Sequence, residues 1–316
     1  MRVIEVSSFG DPEVMQIQDR EIPAALPGTV VVRLHAIGVN PVETYIRAGT
    51  YPVLPDLPYI PGSNGAGIVH DIGEDVDLFR PGQRVYVAAR SGTYAEYCCC
   101  AVRDIHPLPD NISFEEGAAL GVPAATAYRA LFMRGAGRKG EKVLIHGASG
   151  SVGLCAIQLG VAAGMEIVGT AGSDKGMRLV REHGAYPITH NGHTIKQLHE
   201  AAPDGYDLIL EMLANKNLET DLEVIAPRGR IVIIGSRGRI EIDPRATMGR
   251  EVDIRGLALA NSTPGELQQI HEGLSKALAA GSLKPVISET MRLEEAPRAH
   301  HKVMAPGNCG KIVLIP

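Results

Sequence analysis

The sequence predicts an α/β protein of two domains, one mostly β and one built on a parallel sheet with helices on both faces. Three observations point there. Up to about residue 120, short apolar segments are punctuated by turns. From Lys142 onward, buried-type strands alternate with helical stretches. At 143–153 one such strand runs straight into a turn of small residues and then an apolar helix. The length, 316 residues, agrees with about two domains.

Taken in order, residues 1–6 alternate as a short strand does, and strands follow at 30–36, 65–69, 83–87 and 94–97. The breakers Ile60-Pro61-Gly62 and Arg80-Pro81-Gly82 lie between them, and the spacing suggests a β-barrel-like module. Ser113 and Glu116 stand three apart, the pattern of a capping box opening a helix through 118–120. A second helix is expected after Pro123, through 124–131. The parallel-sheet strands are expected at 143–146, 166–170, 206–211, 230–235 and 251–259, with helices between them. A helix at 266–280, a break at Lys284-Pro285, a helix at 294–304 and a last strand at 311–315 complete the chain.

Composition narrows the function classes. There are 36 glycines and 21 prolines against 4% aromatics, without tryptophan, so the glycines serve tight turns and close backbone approaches. A formal net charge of -5 with a pI of about 6.1 leaves no electrostatic footprint for nucleic acid or an anionic membrane. No apolar run has the length of a signal peptide core or a spanning helix, so a soluble, unexported protein is expected. Five cysteines, three of them contiguous at Cys98, Cys99 and Cys100, do not make a disulfide framework, and a reducing cytoplasm fits.

The strongest local signal is the stretch from Val143 to Gly153. Small residues let the backbone turn sharply, and the following helix offers unpaired N–H groups and its positive dipole end to a pyrophosphate. Ala148 replaces the first glycine of G-x-G-x-x-G, and a turn that merely packs helix on strand is the alternative. The next strand ends without the Asp or Glu that would hold a ribose 2'-hydroxyl. Small residues fill the turn, with Ser173 in it and Lys175 and Arg178 just beyond, which suits the 2'-phosphate of NADPH. The alternative is that both cations face solvent, and Asp174 leans that way. Neither the converging Cys, His and carboxylate ligands of a catalytic zinc nor four clustered cysteines can be read from the spacing, and the histidines are read as solvated or core residues. Hydride transfer by the cofactor itself is the chemistry left over.

Several segments together resemble one family. They run from Gly38 to Tyr51, from Ile60 to Ser63, from His146 to Gly153, from Gly169 to Gly172, from Glu211 to Leu218 and from Ile234 to Gly238. In these the chain is similar to the zinc-free quinone oxidoreductases of the medium-chain dehydrogenase/reductase superfamily, the ζ-crystallin-like group. Gly62-Ser63-Asn64 stands where zinc relatives carry Gly-His-Glu.

The resemblance implies a GroES-like, β-barrel-type catalytic domain (1–122 and 263–316) and a Rossmann NADP-binding domain (123–262), with the active site in the cleft between. It implies NADPH-dependent reduction of quinones, often by one-electron chemistry, without metal. By motif, Tyr45 and Asn40 would be the catalytic residues lining the nicotinamide and quinone pocket, with Tyr45 also touching cofactor. Thr126 would seat the nicotinamide half; Ser149, Gly150, Ser151 and Val152 would hold the pyrophosphate. Gly172 would lie by the adenosine ribose, with Arg178 near the 2'-phosphate. Asn217, Ile234, Gly235, Ser236, Arg237, Leu257, Ala258 and Leu259 match the stretches that contact the cofactor from the far side of the sheet, and Lys311 is expected to touch phosphate. After Gly184-Ala185 the chain departs from its relatives, and Asn191 or His190 takes the place beside the adenine.

The partner implied is a small quinone, with no nucleic acid or membrane, in a homodimer or homotetramer paired through the last Rossmann strand. Rival readings remain: reduction of an activated alkene such as an enone on the same scaffold, or NADPH or RNA binding without turnover.

Overall fold

The computed structural model describes all 316 residues. The chain divides into two compact units, Met1–Val122 with Pro285–Pro316, and Pro123–Lys284.

In the first unit, β1 (Arg2–Val6) pairs antiparallel with β2 (Met15–Asp19). The larger sheet centres on β3 (Thr29–Gly38), where Val30, Val31 and Val32 are fully buried. The β-branched run suits a strand packed on both faces. Around it lie β4 (Asn64–Ile72), β5 (Arg84–Ala88), β6 (Tyr97–Ala101) and β7 (Ile105–Pro107). The register of β3 against β4 slips twice, and beside one slip Gly67 comes so close to β3 that a Cβ would sit 2.0 Å from the Arg33 carbonyl oxygen. Only glycine fits that approach. Helix α1 (Pro41–Arg47) follows β3 directly, and α2 (Phe114–Gly117) opens on Ser113, whose hydroxyl accepts from the Glu116 N–H while the Glu116 carboxylate accepts from the Ser113 N–H. The expected strand at 94–97 lies further on. Tyr94 to Glu96 lead into β6 without forming a ladder of their own: Ala95 bridges to Val3, and their backbone N–H groups donate to Pro61, Thr93 and Arg2 rather than to one neighbouring strand.

In the second unit, α3 (Ala125–Tyr128) continues into a wider helical turn at Arg129–Arg134, and Pro123, which has no N–H to donate, sits in another wide turn before it. Six parallel strands follow: β8 (Lys142–Ile145), β9 (Glu166–Ala171), β10 (Tyr186–Thr189), β11 (Tyr206–Glu211), β12 (Ile225–Ile233) and β13 (Asp253–Gly256). Their order, β10-β9-β8-β11-β12-β13, reverses between β8 and β11. Helices α4 (Ser151–Ala162), α5 (Asp174–Glu182), α6 (Thr194–Ala201), α7 (Ala214–Val224) and the short α8 (Arg245–Met248) connect them, and α9 (Pro264–Ala279) follows. This is the doubly wound nucleotide-binding sheet. β10 escapes a pattern reading because Pro187 argues against a central strand; it lies at the sheet edge, where a missing donor costs little.

α9, placed by sequence with the first domain, packs in the second unit, against α3. The fit is tight: a Cβ at Gly273 would meet the Tyr128 ring at 2.2 Å. The last part of the first unit is β14 (Ile287–Arg292), α10 (Ala296–Met304) and β15 (Lys311–Ile315), with β15 joining β3.

Candidate functional site

In the second unit the expected cofactor residues line up along one edge of the sheet. Ser149 and Gly150 follow β8, Gly172 and Ser173 follow β9, and Asn191 follows β10. Asn217 lies on the first turns of α7 after β11, Ile234 to Arg237 follow β12, and Leu257 to Leu259 follow β13. All stand at the carboxyl ends of parallel strands, around the point where strand order reverses, which is where such sheets take ligands.

The phosphate-type loop has the geometry its sequence implies. Gly147 adopts φ +57°, and Gly150 caps α4, where a Cβ would meet only the Gly147 carbonyl oxygen, at 3.3 Å. Ser151 and Val152 form the first turn of α4, with their N–H groups facing the open end of the helix. Gly153 packs the helix down, since a Cβ there would lie 2.6 Å from the Ala148 backbone. A second helix start lies alongside. Ser173 caps α5 by accepting from the Gly176 N–H at 3.1 Å, and a Cβ on Gly176 would come within 3.0 Å of the Ser149 side chain. Gly172 has nothing within 4 Å of where its Cβ would be. Lys175 and Arg178, three apart on α5, are exposed. Two helix N-termini with open glycine backbone between them, flanked by two cations, fit a dinucleotide carrying an extra phosphate.

On the other side of the reversal point, the turn after β12 is anchored to the end of β11. The Glu211 carbonyl accepts from the Ile234 N–H at 2.8 Å and the Gly235 N–H at 3.2 Å, and Asn215 Oδ1 accepts from the Arg237 N–H. A Cβ on Gly235 would meet the Met212 carbonyl oxygen at 2.4 Å. Arg237 and Ser236 are exposed, the Ser236 hydroxyl donating to the Gly238 carbonyl; Ala258 has its carbonyl taken by Arg129. Thr126 is buried within α3. Asn191 caps its own turn, its side chain accepting from the His193 N–H.

One constellation escapes sequence reading. His146, immediately after β8, Glu211, the last residue of β11, and Asp221 of α7 converge, all buried. His146 Nε2 is 2.7 Å from Asp221 Oδ1 and 3.7 Å from Glu211 Oε2. The histidines therefore do include one with carboxylate partners, brought from 65 and 75 residues away by the parallel topology. The ligand-type atoms of the trio lie within 4.8 Å of one another; His146 and Asp221 are hydrogen-bonded, and Glu211 Oε2 sits beside them at 3.7 Å from His146 Nε2, too far for a hydrogen bond. The available signal was an acid closing the apolar strand Leu208-Ile209-Leu210 and a histidine opening the glycine turn.

In the first unit, Asn40 and Lys311 depart from expectation. Asn40 is 1% exposed and engaged at both ends of its amide: Oδ1 accepts from Lys311 Nζ, and Nδ2 donates to Glu43 Oε1 at 2.8 Å. Lys311, expected at phosphate, is itself 1% exposed at the start of β15 and bonded to Asn40. A buried ammonium needs an oxygen partner at hand, and Asn40 supplies it. Glu43 continues the network by accepting from the Asn40 and Ser63 N–H groups and from the Tyr94 hydroxyl, which lies 3.0 Å from His300 Nε2. Burial holds the Tyr94 hydroxyl well above its ordinary range and lowers His300 to about 3. Tyr45 and Tyr51 remain partly exposed on and after α1.

A model of the alcohol dehydrogenase GroES-like domain matches residues 26–110, and one of the zinc-binding dehydrogenases matches 151–276. Over 321 residues the chain is 45% identical to a quinone oxidoreductase of Rattus norvegicus and 42% identical to that of Homo sapiens, covering 100% of this chain and 98% of each relative. Among solved structures, the quinone oxidoreductase of Escherichia coli complexed with NADPH has a TM-score of 0.88 at 28% identity, over 100% of both chains.

Proposed function

Because the chain belongs to the ζ-crystallin-like quinone oxidoreductases of the medium-chain dehydrogenase/reductase superfamily, we infer that it reduces quinones with NADPH, and that the edge of the parallel sheet in the second unit holds the cofactor. The observation carrying the reading is the paired helix starts at Gly150 and Ser173 with open glycine backbone at Gly172. When bound, NADPH supplies the hydride or electrons. The protein's own residues then bind, orient and shield.

Ser149, Gly150, Ser151 and Val152 present N–H groups and a hydroxyl to the pyrophosphate, and Ser173, Lys175 and Arg178 surround the 2'-phosphate. Asn191 borders the adenine, while Thr126, Asn217, the turn from Ile234 to Arg237, and Leu257 to Leu259 enclose the nicotinamide half. Tyr45 offers a hydroxyl to a quinone oxygen, and its ring with that of Tyr51 provides flat surface for a flat substrate. Asn40 acts one step back: held by Lys311 and Glu43, it fixes the start of α1 and so the direction of Tyr45.

Purified protein mixed with NADPH and an ortho-quinone oxidises the cofactor, read by its absorbance; no oxidation with any quinone tried defeats the reading. Replacing Lys175 and Arg178 together by Ala lowers the preference for NADPH over NADH roughly tenfold, as loss of a charge-assisted phosphate contact should.

No helix is long and apolar enough to cross a membrane. The five free cysteines support a reducing compartment such as the cytoplasm. A homodimer would form through the outer side of β13, which carries exposed Ile254, whereas the opposite edge, β10, is blunted by Pro187.

A further inference from the structure

The trio at the reversal point of the sheet does more than fill space. Its Glu211 member carries the turns that the proposed cofactor site depends on. Oε1 accepts from the Leu213 N–H and from Asn217 Nδ2, and the same residue's carbonyl accepts from Ile234 and Gly235. On the other flank, His146 Nδ1 is 3.4 Å from the Thr170 hydroxyl, which accepts from the Gly147 N–H at 3.2 Å and so touches the phosphate-type loop.

With Thr170 donating to Nδ1, a neutral His146 donates from Nε2 to Asp221 Oδ1. Glu211 Oε1 is satisfied by two N–H donors. What remains are Glu211 Oε2 and Asp221 Oδ2, both buried and without a partner when both groups are treated as acceptors. Two carboxylates facing each other inside a protein repel and lose their hydration; one proton between them turns the repulsion into a hydrogen bond and satisfies both orphans.

We propose that Asp221 and His146 are positioning residues for the NADPH site: by sharing one proton with Glu211 they lock the carboxylate that holds Leu213 and Asn217 and the backbone that carries the turn at Ile234 and Gly235. Burial supports the reading, raising both carboxyls to about 7 and lowering His146. The further titratable group facing the trio is His190 after β10, its ring 6.4 Å from that of His146; Thr170 and Asn217 are neutral, and Lys216, Glu219 and Glu223 of α7 are exposed. Losing the shared proton leaves two buried anions that separate, dragging Asn217 and the turn after β12 from the cofactor.

The inference rests on the cofactor site proposed above, so its test reads NADPH binding directly, by fluorescence of the reduced nicotinamide, without any quinone. Between about pH 7 and pH 8.5 the Kd of the wild type rises about tenfold, the slope expected when binding requires one proton. The Asp221→Asn variant puts an amide donor where the shared proton lay, so its Kd stays flat over that range and within about threefold of the wild type at pH 7. Asp221→Ala, with no donor, binds at least tenfold more weakly at pH 7, its fold checked by circular dichroism. A flat wild-type profile overturns the proposal without recourse to any variant, as does an Asp221→Asn profile that keeps the wild-type slope. Absence of NADPH binding at every pH would instead defeat the assignment of the site itself.

Discussion

Single residues here show how far chemistry depends on neighbours distant in sequence. By sequence His300, beside His301, reads as either a solvated or a core histidine; folding makes it a core one, 1% exposed and neutral to about pH 3 because burial penalises its charged form. In the unfolded chain it takes up a proton below about 6.5. Its native pKa is depressed, so its contribution to stability is complete above 6.5 and is lost as pH falls toward 3. Urea denaturation will show the stability gap between wild type and His300→Gln shrinking by roughly 2–3 kcal/mol from pH 7 to about pH 4.5; equal gaps at both pH values would refute the assignment. Asn40 and Lys311 illustrate the same point. Both are visible in sequence as polar residues near an expected pocket, but that they bond to each other depends on β15 returning beside β3 after more than two hundred residues.

Among the elements, legibility follows locality. The box at Ser113 and Glu116 lies within one helical turn and forms as read. Ser113→Ala removes the acceptor for the Glu116 N–H, costing about 1 kcal/mol in a thermal or chemical melt. The glycine turn is equally local, and Gly153 is its tightest point: Gly153→Ala drives a methyl into the Ala148 backbone, which cannot yield, and destabilises the second unit by about 1–3 kcal/mol. A melt of that variant indistinguishable from wild type would show that α4 can lift away from β8. Strands Met15–Asp19 and Tyr186–Thr189 are missed for a reason of their own. Each lies at the edge of its sheet, where one flank faces solvent, so apolar patterning is weak and even a proline is tolerated.

At the scale of the whole molecule, the cofactor is part of the stability ledger. A ligand that binds only the folded state stabilises it by about 2.7 kcal/mol at a concentration one hundred times its Kd. NADPH at that excess should raise the melting temperature by roughly 5–10 °C, and NADH at the same concentration by less if Lys175 and Arg178 hold the 2'-phosphate as proposed, because NADH lacks that phosphate. Equal shifts would remove the assigned role of those two cations. The division of the chain is the feature that sequence places least well. α9 looks separable from the preceding sheet by pattern alone, but Gly273 seats it against Tyr128, and that contact keeps it in the second unit up to Lys284.

By itself the sequence determined the α/β class, the order of most strands and helices, the glycine turn suited to a dinucleotide, and the family, because each is written in residues close together along the chain. Only the tertiary structure decided which buried polar groups meet. The trio of His146, Glu211 and Asp221 and the chain of Lys311, Asn40, Glu43, Tyr94 and His300 are assembled from strands, helices and turns that become neighbours only when the sheets form. A charged residue carries no mark of its future partner; burial, which makes partnership obligatory, exists only after folding.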